Sequence, residues 1–130
     1  MNINELTGRE LDAVVAEKVM GWTNIRNDDG HLVGQHPWAG GPEEHMVTDF
    51  VPDYSSNTSL AFEVVFAMRR AGYYSQCTDL TMDSGCEDWH WKFYDYMRGG
   101  SRWFSGRGPL PFAICVAALV ALSAHIPDKK

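Results

Sequence analysis

The sequence predicts an α+β domain in which three helices are layered on a small antiparallel sheet. Two observations carry that prediction. Apolar residues recur at helical spacing in three separate stretches, each bounded by start and stop residues. Between the second and third stretches the period changes to two, the spacing of a half-buried strand.

The first helix is expected at residues 8–20. Thr7-Gly8-Arg9-Glu10 fits a capping box, with Leu6 and Leu11 at the positions of a hydrophobic staple. Leu11, Val14, Val15 and Val19 form one apolar stripe, and Gly21 supplies the stop. From Trp22 to Val51 the chain reads as irregular, with one hairpin turned by Asn27-Asp28-Asp29-Gly30 between Ile25 and Leu32-Val33. Gln35 to Glu44, rich in Pro and Gly, reads as a loop.

The second helix is expected to begin between Ser55 and Asn57 and to run to Ala71, with Gly72 as its stop. Leu60, Val64, Ala67, Met68 and Ala71 form its stripe, and Phe62, Val65 and Phe66 widen it. Strands follow at Tyr73 to Met82 and Trp89 to Met97. In the second of these, Trp89, Trp91 and Phe93 alternate with His90, Lys92, Tyr94 and Tyr96, giving a core face and a polar-aromatic face. A register that pairs Met82 with Trp89 and Leu80 with Trp91 is self-consistent. Gly99-Gly100 then turns the chain into a third strand, Ser101 to Ser105.

The third helix is expected from Phe112 to Ala124, with Gly108 as cap, Pro109 at its first position and Pro127 beyond its end. Ala113, Ala117, Ala121 and Ala124 line one side, which lets a neighbouring backbone approach closely. Residues 108–126 carry no Asp, Glu, Lys or Arg. The dense apolar part is nevertheless shorter than the ~20 residues a membrane span needs, so a buried helix is expected and no membrane contact.

With 130 residues the chain is expected to form one domain, residues 1–130. A net charge of −6 argues against a general DNA or RNA binder. Arg98, Arg102 and Arg107 nonetheless cluster late, which is compatible with a local anion site. The three cysteines, Cys77, Cys86 and Cys115, suit a reducing compartment, and Met-Asn-Ile-Asn-Glu lacks the pattern of a signal peptide. A cytoplasmic location is expected.

The candidate ligand surface draws on two helix entrances. Ser55 and Ser56 open the second helix and Gly108 the third. Free backbone N–H groups at such entrances favour phosphate or carboxylate. Arg102 and Arg107 are the nearby cations, while Trp38, Tyr54 and Trp103 are candidates to stack on a ring. Equally, Ser55 and Gly108 are caps of the kind every helix needs. His90 and Lys92 on the polar-aromatic strand face could add stacking and phosphate contacts. That face could also be the outer side of the sheet or a subunit contact. Cys77, Cys86 and His90 lack the usual zinc spacing, so no metal is expected, and Cys77 and Cys115 read as small core residues. No nucleophile motif, P-loop or dinucleotide loop is present, so no catalytic residue and no cofactor are assigned.

Three pieces of the chain carry a resemblance. They are Leu6-Thr7-Gly8-Arg9-Glu10-Leu11-Asp12, then Pro52-Asp53-Tyr54-Ser55-Ser56 with Phe62-Glu63-Val64-Val65, and finally the run from Pro109 to Leu119. In this order they resemble the phage ABA-sandwich domain family, and the similar NinX-like phage proteins share the layout. The resemblance implies an alpha-beta-alpha layered fold and a viral or prophage source, in the cytoplasm of an infected bacterial host. It brings no activity or catalytic residue. The expectation is a non-enzymatic accessory protein binding a small anionic ligand, such as a nucleotide signal of host defence that it sequesters. The alternative is an interaction module for a host or phage protein, and a small hydrolase is the least favoured reading. Homo-oligomerisation is expected from the aromatic content and the poorly buried segments 22–51 and 98–107.

Overall fold

The computed structural model describes residues 3–6, 8–37, 46–95 and 102–123. A short 3-10 turn at Ile3–Glu5 precedes helix α1, Gly8–Lys18. Strands β1 (Thr23–Asp28), β2 (His31–Pro37) and β3 (Met46–Phe50) follow, then helix α2, Thr58–Arg70. Strand β4 (Tyr73–Asp79), the one-turn helix α3 (Thr81–Ser84), strands β5 (Trp89–Asp95) and β6 (Trp103–Gly108) and helix α4 (Leu110–Ser123) complete the order. The strands form two antiparallel sheets, β1-β2-β3 and β4-β5-β6. The expected α+β class is observed, and the second sheet is the one the sequence predicted.

Helix ends follow their residues closely. Gly21 has φ +79°, and the Trp22 N–H reaches back to the Ala16 carbonyl at 2.9 Å, a left-handed stop that ends α1. Asn57 caps α2, its side-chain oxygen accepting the Leu60 N–H at 3.2 Å. At α4 the Pro109 carbonyl accepts the first helical bond, from the Ala113 N–H at 2.8 Å. Pro109 is therefore the cap, and Gly108, expected to be one, is the last residue of β6. Thr7, the expected capping-box residue, lies outside the described residues.

The irregular stretch is more ordered than its composition suggested. Asp29 and Gly30 both have positive φ (54° and 83°), a two-residue turn whose twist matches the strands it joins. The expected hairpin is thus present, but it is extended by β3, which pairs Phe50 with Val33 and Met46 with Pro37. Gln35 to Pro37, read as loop, belong to β2. Pro37, paired with Met46, is the last described residue of that strand.

The core lies where α4 crosses the second sheet. Ala113, Ala117 and Ala121 are fully buried. The reason is Gly106 on β6: a Cβ there would collide with the Ala113 carbonyl oxygen and come within 2.7 Å of the Ala117 nitrogen. Glycine on the strand and alanine on the helix together allow this approach. Helix α2 packs beside α4 and over β4, and α1 packs on α4. Val64, Met68, Tyr73, Phe93, Ile114 and Leu119 fill the space between. Cys115 is buried among them, and burial pushes its thiol pKa up. Cys77, expected in the core, is exposed at the sheet edge. No described helix is long and apolar enough to cross a membrane.

The β4–β5 register is the largest departure. Asp79, not Met82, pairs with Trp89, and Cys77, not Leu80, pairs with Trp91. The cause is local. The Asp79 carboxylate accepts the Thr81 N–H at 2.9 Å and starts α3, which takes Leu80 and Met82 off the strand. The Leu80 N–H then closes on the Asp88 carbonyl at 2.7 Å, and Met82 is left exposed.

Candidate functional site

The first predicted entrance is closed by the protein itself. The Ser55 N–H donates to the Asp12 carboxylate at 2.7 Å, and the Ser55 hydroxyl donates to the Gly8 carbonyl at 3.0 Å. Arg9 bridges Asp12 (2.8 Å) and Asp53 (2.6 Å) and donates to the Val51 carbonyl at 3.1 Å. Asp12 is almost fully buried, so a buried carboxylate occupies the position an outside anion would take. Ser56 is exposed, and its N–H is taken by the Asp53 carbonyl at 3.2 Å. Tyr54 is 2% exposed and cannot stack on a ligand. Burial, with the Glu63 carboxylate second, pushes its phenol up to about 12 despite a hydrogen bond with Trp22 that pulls the other way. The junction is flanked by an open cleft of about 360 Å³ whose lining includes Arg9, His31, Phe50 and Asp53.

The second entrance is also engaged from within. Asp88 accepts from Arg107 at 2.8 to 3.2 Å through two guanidinium nitrogens, and the Glu87 carboxylate faces the Leu110 N–H at 3.5 Å. Gly108 (φ +135°) sits against the Phe112 ring. Arg102 lies over the Phe104 ring at 5.3 Å. Trp38 lies outside the described residues. Both entrances are therefore engaged by the chain's own acids. Among the described residues no group of His, Cys, Asp and Glu is placed to hold a metal.

What the structure does bring together is the outer face of the second sheet. Trp91, Phe93, Phe104 and Gly106 point to α4 and are buried, so their neighbours along each strand point the other way. Pairing then aligns three rows. Tyr74, Tyr94 and Trp103 form the first, Gln76, Lys92 and Ser105 the second, and Thr78, His90 and Arg107 the third. Tyr74 is 56% exposed and Trp103 46%, and the Tyr94 and Trp103 rings lie 4.8 Å apart. His90, Lys92 and Tyr94 are half-buried. This is an aromatic strip beside two cations and an imidazole, on one face of the sheet.

Four predicted site residues, His90, Lys92, Trp103 and Arg107, share this face. Tyr74 was missed because the expected register was off by three residues. An odd slip turns a whole strand over, which put Tyr74 on the core side. The Asp79-x-Thr81 turn was the signal that could have corrected it.

A second feature lies around the edge of the same sheet. Phe62, Phe66 and Arg69 of α2, with Tyr74, Ser75 and Trp91, line a cleft of about 380 Å³. The Trp91 indole N–H is buried and meets no hydrogen-bond acceptor among the described residues.

The model of the phage ABA sandwich domain matches residues 13–119 of this chain. The match includes the second and third of the three pieces that carried the resemblance and begins just after the first. No curated protein matches the chain. The chain belongs to the phage ABA sandwich domain family.

Proposed function

We propose that this member of a phage family acts by binding rather than catalysis, and that the outer face of its second sheet docks on a host or phage protein. The observation that carries the reading is the in-register strip Tyr74–Tyr94–Trp103, whose two outer rings are exposed. Aromatic residues and arginine are the residue types most enriched where protein interfaces concentrate their energy. The strip lies along the face of a sheet, which suits a protein partner, whereas small-molecule sites are concave and enclose most of their ligand. The cytoplasm of the infected host is the place where such a partner would be met.

A second reading has its own support. Lys92 and then His90 succeed Tyr94 along this face, an arrangement that suits a ring stacked on Tyr94 with its phosphate near Lys92. Under that reading the protein sequesters a small anionic ligand, such as a nucleotide signal of host defence.

Photo-crosslinking in infected cells tests the choice. A benzophenone amino acid at Tyr74 should yield an adduct of one defined mass, and the same group at Glu17 on α1 should not. Equal adducts from both positions would contradict docking through this face. A nucleotide released intact and stoichiometric from the purified protein, seen by native mass spectrometry, would select the second reading.

A further inference from the structure

We propose that β4 pairs antiparallel with β4 of a second copy, joining two three-stranded sheets into one continuous sheet. The inference concerns the sheet's edge and is independent of what its outer face binds.

Among the described residues, strand β4 is an edge strand whose neighbour in the sheet is β5. Its pairing with β5 runs from Tyr73 to Asp79 without a bulge, and every residue after Tyr73 is exposed. Exposed edges of this kind template further strands, and proteins usually blunt them with lysine, proline or a bulge. The segment Tyr-Tyr-Ser-Gln-Cys-Thr-Asp has no lysine and no proline. The contrast with β1 is direct: that edge strand has a register shift between Thr23 and Arg26 and a left-handed Asn24. The β6 edge is backed by α4. Of the four edge strands, β1, β3, β4 and β6, β4 is the longest, with seven residues; β3, also regular and exposed, has five.

The occupant follows from complementarity. A two-fold axis through Gln76, perpendicular to the sheet, uses the whole strand with no overhang. It keeps the helices of both copies on one side. Tyr73 then faces the partner subunit's Asp79, and Ser75 faces the partner subunit's Cys77. Asp79 shares the helix-side face with Tyr73 and Ser75, because all three are separated by even numbers of residues along one strand. Arg69 lines the cleft on that side, next to Ser75. The pairing therefore delivers a carboxylate to Arg69 twice over, once in each direction, as a two-fold interface requires. Hydrogen bonds from Thr81, first through its hydroxyl and then its backbone N–H, hold Asp79 below the usual carboxylate range and keep it charged. The same pairing lays the two α2 helices side by side. There Phe66, 51% exposed in the single copy, gains a cover.

Sedimentation and crosslinking of the full chain test this. The protein should sediment as a dimer. In a Cys86→Ser background, Ser75→Cys should give a covalent dimer with a short bismaleimide, through the partner subunit's Cys77, and Cys77→Ser should abolish it. Arg69→Asp and Asp79→Lys should each weaken the dimer about tenfold, and the double reversal should restore it; circular dichroism checks that each variant is folded. A monomer at every concentration would overturn the proposal. So would a dimer that neither crosslinks through these positions nor responds to the charge reversals. Protection of β4 amides in a monomer bound to another chain would overturn it in favour of strand addition by that chain.

Discussion

The junction between α1 and α2 and the outer face of the second sheet both carry charged and hydrogen-bonding side chains and do opposite things. At the junction, Arg9, Asp12, Asp53 and Ser55 face one another, and buried polar atoms there are matched within the chain. On the sheet face, Lys92, His90, Tyr94 and Trp103 stand side by side along a surface open to solvent. The same hydrogen-bonding capacity closes the fold in one place and is offered outward in the other. The lesson is that a helix entrance bearing serines and an arginine is not evidence of a ligand site until the chain's own acids have been placed. Here Asp12 and Asp88 hold the positions first.

The comparison can be broken most severely from beneath the open face. Gly106→Ala would force β6 away from the α4 backbone. We expect a loss of about 3 kcal/mol or more in urea unfolding, at the upper end of overpacking effects because the atoms met are backbone. A small effect would mean that the two elements are not in the contact described.

Next comes the junction. Asp12→Ala leaves the Ser55 N–H without its acceptor and removes one anchor of Arg9, and should cost about 2–3 kcal/mol of stability. The same substitution should leave docking through the sheet face unchanged.

Tyr54 sharpens the contrast by pH. Its pKa is raised from 10.0 to about 12, so the folded state holds the phenolic proton more tightly than the unfolded state. The stability it contributes is complete below the unfolded value and is lost as pH climbs through 10 toward 12, by about 2 kcal/mol. Tyr54→Phe should flatten that part of the profile, as followed by urea midpoints across alkaline pH.

The smallest expected change in stability belongs to the open face. Lys92→Ala should move the unfolding free energy by no more than about 0.5 kcal/mol. A larger loss would assign Lys92 to the fold rather than to docking.

Much of the scaffold was legible because it rests on local rules. Gly21, Asn57 and Pro109 mark helix ends by backbone geometry, and alternation along Trp89 to Phe93 sorts core from surface. The alanine side of α4 was legible too, although its partner, Gly106, became visible only when β6 was placed. What failed depended on pairing. Strand β3 has no strong alternation, and it is held by β2 rather than by its own pattern. The β4 register turned on one carboxylate, Asp79, capturing the Thr81 N–H. The candidate site inherited that error, so Tyr74 was lost from it. Tyr54 and Ser55 were placed in it although burial removes the first and long-range hydrogen bonds to Asp12 and Gly8 consume the second.

The most direct test of the central contrast is the yield of the Tyr74 photo-crosslink in the Trp103→Ala protein, read beside its urea unfolding curve. The account predicts at least a tenfold drop in adduct with the unfolding midpoint nearly unchanged. An undiminished adduct, or a loss that merely tracks unfolding, would contradict the assignment of this face as the binding surface.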